Sequence, residues 1–217
     1  MITRQGTVVK ITAGKTWEPV VTQIIAVKPI QTVNWQVINR ENAVEVQQEQ
    51  HLAESSRSCT LQAQFAARAW SVECPVLYRL SCELTYEDGS VEAIEDTFGF
   101  RYFSTDEKNI YLNGYPFYMR AYIRGCAAHE HQNNCNLEEY DFYKKNILMA
   151  KEYGFNTIRF HSVVPSEACF RAADELGILI HIEMRKDKQD YDNLKEMLYG
   201  KNDFISDAEL LEIIESL

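Results

Sequence analysis

The chain has 217 residues, 46% hydrophobic and 12% aromatic, enough to bury one large core or two medium ones. Its 22 Lys and Arg against 32 Asp and Glu give a formal charge of -10, which argues against nucleic acid or an anionic membrane as the main partner. No run approaches the ~20 apolar residues of a membrane-spanning helix. Met1 to Gly6 has no apolar stretch of the kind a secretory signal needs, so a cytoplasmic chain is expected. The six cysteines (Cys59, Cys74, Cys82, Cys126, Cys135, Cys169) show no CxxC spacing and are expected to be reduced and mostly buried.

Residues 1–103 read as all-β. Thr7 to Thr12, Val20 to Val27 and Val33 to Ile38 are short, β-branched runs separated by Gly, Pro or Asn. Gln47 to Arg57 is polar and reads as an exposed strand with a loop. The clearest strand is Tyr78 to Tyr86, where Tyr78, Leu80, Cys82, Leu84 and Tyr86 share one face and Arg79, Ser81, Glu83 and Thr85 the other. Glu87-Asp88-Gly89-Ser90 supplies a turn, and Val91 to Phe100 returns as the partner strand. Six or seven such strands in about 100 residues predict a two-sheet sandwich of immunoglobulin type.

From Ser104 onward helices enter, and three stretches alternate an apolar face with a polar one: Phe117 to Arg124, Thr157 to Ser162, and Ile178 to Glu183. The apolar face is expected to carry Met119, Ile123, Ile158, Phe160, Ile178, Ile180 and Ile182. The polar face is expected to carry Arg120, Arg124, Arg159, His161, His181 and Glu183, with His181 deeper along its strand and more buried than Glu183. A helix follows each strand. Tyr140, Tyr143, Ile147 and Ala150 share one helical face before a stop at Gly154. Pro165-Ser166-Glu167 opens a second helix that buries Cys169, Ala172, Ala173 and Leu176 and stops at Gly177. Ser206 and Glu209 form the capping box of a third, with Leu210, Ile213, Ile214 and Leu217 on one face. Strands alternating with helices mean a parallel sheet, whose chemistry gathers at the carboxyl ends of its strands. A closed (β/α)₈ barrel takes about 250 residues, so residues 104–217 are expected to form the opening of a TIM barrel, about three βα units.

Five segments in order carry a family resemblance. They are Trp70-Ser71-Val72-Glu73-Cys74-Pro75-Val76-Leu77-Tyr78-Arg79-Leu80, Phe98-Gly99-Phe100-Arg101, Ile110-Tyr111-Leu112-Asn113-Gly114, Gly154-Phe155-Asn156-Thr157-Ile158-Arg159, and Ala173-Asp174-Glu175-Leu176-Gly177-Ile178. Together they resemble glycoside hydrolase family 2, the β-galactosidases, β-glucuronidases and β-mannosidases. The resemblance implies an immunoglobulin-like domain leading through a hairpin into a TIM barrel. Where the family's first strand reads R-G-x-x-x-H, Arg120 is followed here by Ala121; Arg124-Gly125 and His129-Glu130 come four residues later. The second strand reads R-F-H-S-x-x-P, ending at Pro165, rather than R-x-S-H-Y-P.

The resemblance also implies what this chain lacks. A retaining glycosidase needs two carboxyls about 5–5.5 Å apart. In the family the acid/base is the Glu of an Asn-Glu pair closing the fourth barrel strand, and the nucleophile closes the seventh. This sequence has no Asn-Glu dipeptide and no residue that matches either role. The remaining candidates are substrate-binding: Arg159, His161, Glu183, Asn156 and His129. Arg159 and His161 are placed to hold sugar hydroxyls or orient a carboxylate; the alternative is an internal ion pair between Arg159 and Glu183. Asn156 either braces the loop before the second strand or contacts sugar. Cys126, His129, His131 and Cys135 do not follow a known zinc spacing and read as cleft lining or a polar loop, so no metal or cofactor is expected. Asp174-Glu175 reads as a solvated face or a brace, and Trp70 and Tyr78 as core rather than sugar-stacking platforms.

These readings converge on a glycosidase fragment, inactive alone, with carbohydrate as its ligand. Two other readings stay open. One is a non-catalytic carbohydrate-binding or interaction module. The other is one half of a split glycosidase, completed by a second chain. An open barrel edge along Ile178 to Glu183 is expected to favour self-association or that complementing chain.

Overall fold

Alternation of buried and exposed side chains runs without a break from Tyr78 to Tyr86, and this strand is central in one half of a β-sandwich. The structure is a computed structural model that describes residues 2–4, 7–124, 139–161 and 163–183. The expected helix from Ser206 and the stretch holding Cys126, His129, His131 and Cys135 lie outside those residues.

Eight strands form two antiparallel sheets. Strands β1 (Ile2–Arg4), β2 (Thr7–Thr12), β3 (Val20–Ala26) and β6 (Ser58–Ala63) lie in the order β1-β2-β3-β6. Strands β4 (Ile30–Ile38), β5 (Val44–His51), β7 (Tyr78–Tyr86) and β8 (Val91–Phe98) lie in the order β5-β4-β7-β8. Val9, Ile24 and Leu61 from the first sheet meet Val33, Trp35, Leu80, Leu84 and Ile94 from the second in one core. Between the sheets, the Thr7 hydroxyl and the Tyr86 hydroxyl both donate to the Glu92 carboxylate. Burial and the Glu92 charge push the Tyr86 hydroxyl up to about 12. The four described cysteines are free thiols, and burial raises Cys59 to about 11 and Cys82 and Cys169 to about 12.

A small antiparallel meander follows: β9 (Phe103–Thr105), β10 (Ile110–Leu112) and β11 (Tyr115–Pro116). Its tight turn is Asn113-Gly114, both with positive φ, 55° and 82°, the conformation a two-residue hairpin turn demands and this residue pair tolerates.

Three parallel strands come next, β12 (Ala121–Arg124), β13 (Thr157–Phe160) and β14 (Leu179–Ile182), in the order β12-β13-β14. Helices α1 (Glu139–Glu152) and α2 (Glu167–Leu176) pack on one face, where Phe142, Tyr143, Ile147, Cys169 and Ala172 meet Ile158 and Phe160. No described helix is long and apolar enough to cross a membrane.

The first of these strands departs from expectation. It begins at Ala121, not Phe117, and its faces are exchanged. In register, Tyr122 pairs with Ile158, which pairs with Ile180, and Arg124 pairs with Phe160, which pairs with Ile182, so both belong to the helix-covered side. Tyr122 packs on Phe155 at 5.1 Å, and the Arg124 guanidinium lies 5.2 Å from the Phe142 ring. Ile123 instead shares its face with Arg159 and is 66% exposed. Tyr and Arg each carry enough apolar surface to line a core while their polar ends reach outward.

The sandwich and the α/β region are joined by Trp70 and Lys151. Trp70, fully buried, packs with Val72, Leu112 and Leu179. Its indole N–H donates to the Asp174 carbonyl at 2.7 Å, and the Arg101 guanidinium stacks on its ring at 4.7 Å. Lys151 Nζ donates to three carbonyls, those of Val72, Leu176 and Gly177. Gly177 ends α2 at φ 75°, and a Cβ there would fall 2.4 Å from the Val72 oxygen.

Replacing Lys151 with Met strands three carbonyls at this junction and is expected to cost about 2–4 kcal/mol. Gly177→Ala adds left-handed strain to a backbone clash and should cost about 2 kcal/mol or more. Urea unfolding followed by circular dichroism measures both, and a midpoint unchanged from the parent would contradict the junction as described.

Candidate functional site

Parallel pairing puts the carboxyl ends of β13 and β14 side by side. The ladder continues one residue past each strand, since the His161 N–H donates to the Arg124 carbonyl at 2.8 Å and the Glu183 N–H to the Phe160 carbonyl at 3.1 Å. Backbone register thus fixes where His161 and Glu183 leave the sheet. Arg159 Nη2 lies 2.9 Å from Glu183 Oε2, and His161 Nε2 lies 3.7 Å from the same oxygen. The Arg159 and Glu183 side chains are 28% and 41% exposed, and that of His161 59%. Two bases therefore converge on one carboxylate at the rim of an open face. The arrangement can donate hydrogen bonds to hydroxyls or a carboxylate and accept them at Glu183.

Arg159 pairs with Glu183 across adjacent strands and keeps part of its side chain exposed. His181 sits beside Arg159 in register. It is exposed, whereas the expectation from strand depth made it more buried than Glu183, which is half-buried. The row runs from His181 through Arg159 to the exposed Ile123, and no described element covers this end of the face. At the amino end the same face is closed, with Thr157 fully buried and Leu179 packed under Trp70 and Leu112.

Asn156 is 2% exposed. Its side-chain oxygen accepts from the Arg120 N–H at 2.8 Å and from the Thr157 hydroxyl at 3.1 Å, and its amide donates to the Tyr118 carbonyl at 2.9 Å. The side chain is consumed as a brace between the approach to β12 and the start of β13, leaving no surface for a sugar. His129 lies outside the described residues. Ile123, beside Arg159 on the open face, was missed because the strand's parity was read one residue out.

Asp174 proves to be a brace. It lies 3.0 Å from Arg101 Nη1 while its own carbonyl receives Trp70. Burial pushes its carboxyl above the usual range, and the Arg101 charge opposes that shift.

Comparison with known proteins then bears on this geometry. Residues 9–101 match the pattern of glycosyl hydrolases family 2. A β-galactosidase of Vibrio vulnificus strain YJ016 is 30% identical over 116 residues, 52% of this chain and 11% of that protein. A β-galactosidase of Pectobacterium atrosepticum is 31% identical over 114 residues, 51% of this chain and 10% of its own length. The family pattern covers less than half of this chain, and these matches show a likeness to glycosyl hydrolases family 2. Among solved structures, a β-glucuronidase of Parabacteroides merdae superposes with a TM-score of 0.68 at 19% identity, covering 89% of this chain and 26% of that one. At that identity the likeness speaks for the fold. The chain thus spans only a small part of the relatives it matches.

Asn156→Ala should lower unfolding stability by about 2–3 kcal/mol, since it strips partners from buried backbone groups. A double-mutant cycle of Arg159→Met and Glu183→Gln should give a coupling of about 1 kcal/mol or less, as expected for a partly exposed, solvent-screened pair. A coupling above about 3 kcal/mol would mean a desolvated pair instead.

Proposed function

We propose that this chain is part of a family 2 glycosidase, with an immunoglobulin-like sandwich over residues 1–103 and the opening βα units of a TIM barrel from residue 104. The observation that carries the reading is the convergence of Arg159 and His161 on Glu183 at the carboxyl ends of parallel strands. That is the end of an α/β sheet at which ligands are bound. In this reading the three side chains are one wall of a sugar cleft. Arg159 and His161 donate to sugar hydroxyls or to a sugar carboxylate, and Glu183 holds both bases in place while offering acceptor lone pairs.

Positioning groups do not supply the reaction. Glycoside hydrolysis by retention takes a nucleophilic carboxylate and an acid/base about 5–5.5 Å apart, and among the described residues Glu183 stands as a single carboxylate between two bases. The chain is therefore a sugar-positioning portion without turnover of its own. A second chain that completes the sheet would restore a full set of catalytic groups. The edge strands β12 and β14, each paired on one side only among the described residues, support such association.

Purified chain is expected to give no release of nitrophenol from aryl β-galactosides or β-glucuronides above a mock preparation. Hydrolysis that co-purifies with the chain and disappears in Glu183→Gln would overturn the non-catalytic reading. Light scattering is expected to show a dimer or larger species, and a strict monomer at high concentration would count against association through the sheet edges.

A further inference from the structure

We infer that the sandwich carries a second carbohydrate site, a cleft for a neutral pyranose between Trp17 and Tyr115. It shares no residue with the Arg159 wall, so its failure would leave that reading standing.

The cleft measures about 280 Å³ and lies where the turn between β2 and β3 meets the meander; Lys15, Trp17, Tyr102, Asn113 and Tyr115 line it. Trp17 is 62% exposed and Tyr115 is 76% exposed. Large aromatic rings held this far out of a core cost hydrophobic free energy unless something covers them. Here the Trp17 side of the cleft is held in place rather than left loose. The Trp17 carbonyl accepts from Gln64 Nε2 at 2.8 Å, and the indole packs edge-on to Tyr102 at 6.2 Å. Tyr102 is fixed in turn, because its N–H donates to the Asn113 side chain. A preorganised site loses little entropy on binding.

The polar groups decide the ligand class. Lys15 Nζ lies 5.8 Å from the Trp17 ring centre and 5.6 Å from that of Tyr102, and it pairs with Glu18 at 3.0 Å. The hydrogen bond from Lys15 holds the Glu18 carboxyl below its usual range, so Glu18 stays an acceptor. An ammonium donor and a carboxylate acceptor beside aromatic faces match a pyranose, whose C–H face is apolar and whose rim carries hydroxyls that both donate and accept. The Lys15 charge is already balanced by Glu18, which disfavours an acidic sugar. A purely apolar ligand would strand both charges.

The chain carries its own reporter. It has three tryptophans, and Trp35 and Trp70 are fully buried. Acrylamide quenching of tryptophan fluorescence therefore reads Trp17. Lactose is expected to protect Trp17 saturably with a midpoint of about 1–10 mM. Tyr115→Ala, a change at an exposed ring, should leave the circular dichroism spectrum intact and raise that midpoint about fivefold. Lys15→Met should raise it similarly, and sorbitol, which has no ring face, should give no protection. The proposal falls if lactose gives no saturable protection, if sorbitol protects equally, or if folded Tyr115→Ala binds like the parent. It also falls if glucuronate protects and lactose does not, since that outcome would assign the cleft to acidic sugars.

Discussion

The rest of the structure depends on the indole of Trp70. Three separately built parts of the chain meet on this side chain. Its backbone N–H donates to Phe100 at the end of the sandwich, and its carbonyl accepts from Asn113 in the meander. Its indole N–H reaches the last turn of α2 at Asp174. The ring is covered by Arg101 on one side and packs with Leu112 and Leu179. A buried indole without a partner for its N–H costs free energy, so the Asp174 carbonyl is a directional constraint as well as a contact. Lys151 adds a second constraint nearby by bridging Val72 to the end of α2. The tilt of the parallel sheet against the sandwich follows from these two anchors.

From that tilt comes the placement of the Arg159 wall. β14 begins two residues after Gly177, whose carbonyl is held by Lys151, and its first residue packs under Trp70. Register then carries the position along the strand to Glu183, with β13 delivering Arg159 and His161 beside it. No loop flexibility enters this chain of constraints. Precision at the rim is inherited from packing at the base.

Where periodicity and stop signals were strong, the sequence was legible. Tyr78 to Tyr86 alternates in the structure as in the sequence, and α1 and α2 end before Gly154 and Gly177 because those residues take positive φ. The pairing of Arg159 with Glu183 was also readable, since two charges of matching parity on neighbouring strands need each other. The faces of β12 were not. Tyr122 and Arg124 look polar by composition, yet their rings and stems do the covering, while Ile123 looks apolar and stands open. His181 was placed too deep because its position further back along the strand was equated with burial, whereas no described element covers that part of the face. Asn156 was legible as polar and conformationally useful, but only coordinates show that its amide is spent on the Arg120 N–H, the Tyr118 carbonyl and the Thr157 hydroxyl. The Trp17 cleft had no sequence signal, since its walls come from segments nearly 100 residues apart.

The closure of the open face at its amino end carries one more consequence. Leu179 is kept from water by Trp70 and Leu112, residues outside the α/β region, and Thr157 beside it in register is fully buried. The floor beneath Arg159 and Glu183 is thus borrowed from the sandwich and its connecting meander. Severed from them, the parallel sheet would face water at both ends and lose the anchor that sets its tilt. The two halves form one thermodynamic unit, and the junction near residue 103 is a seam in topology rather than a place where folding can be divided.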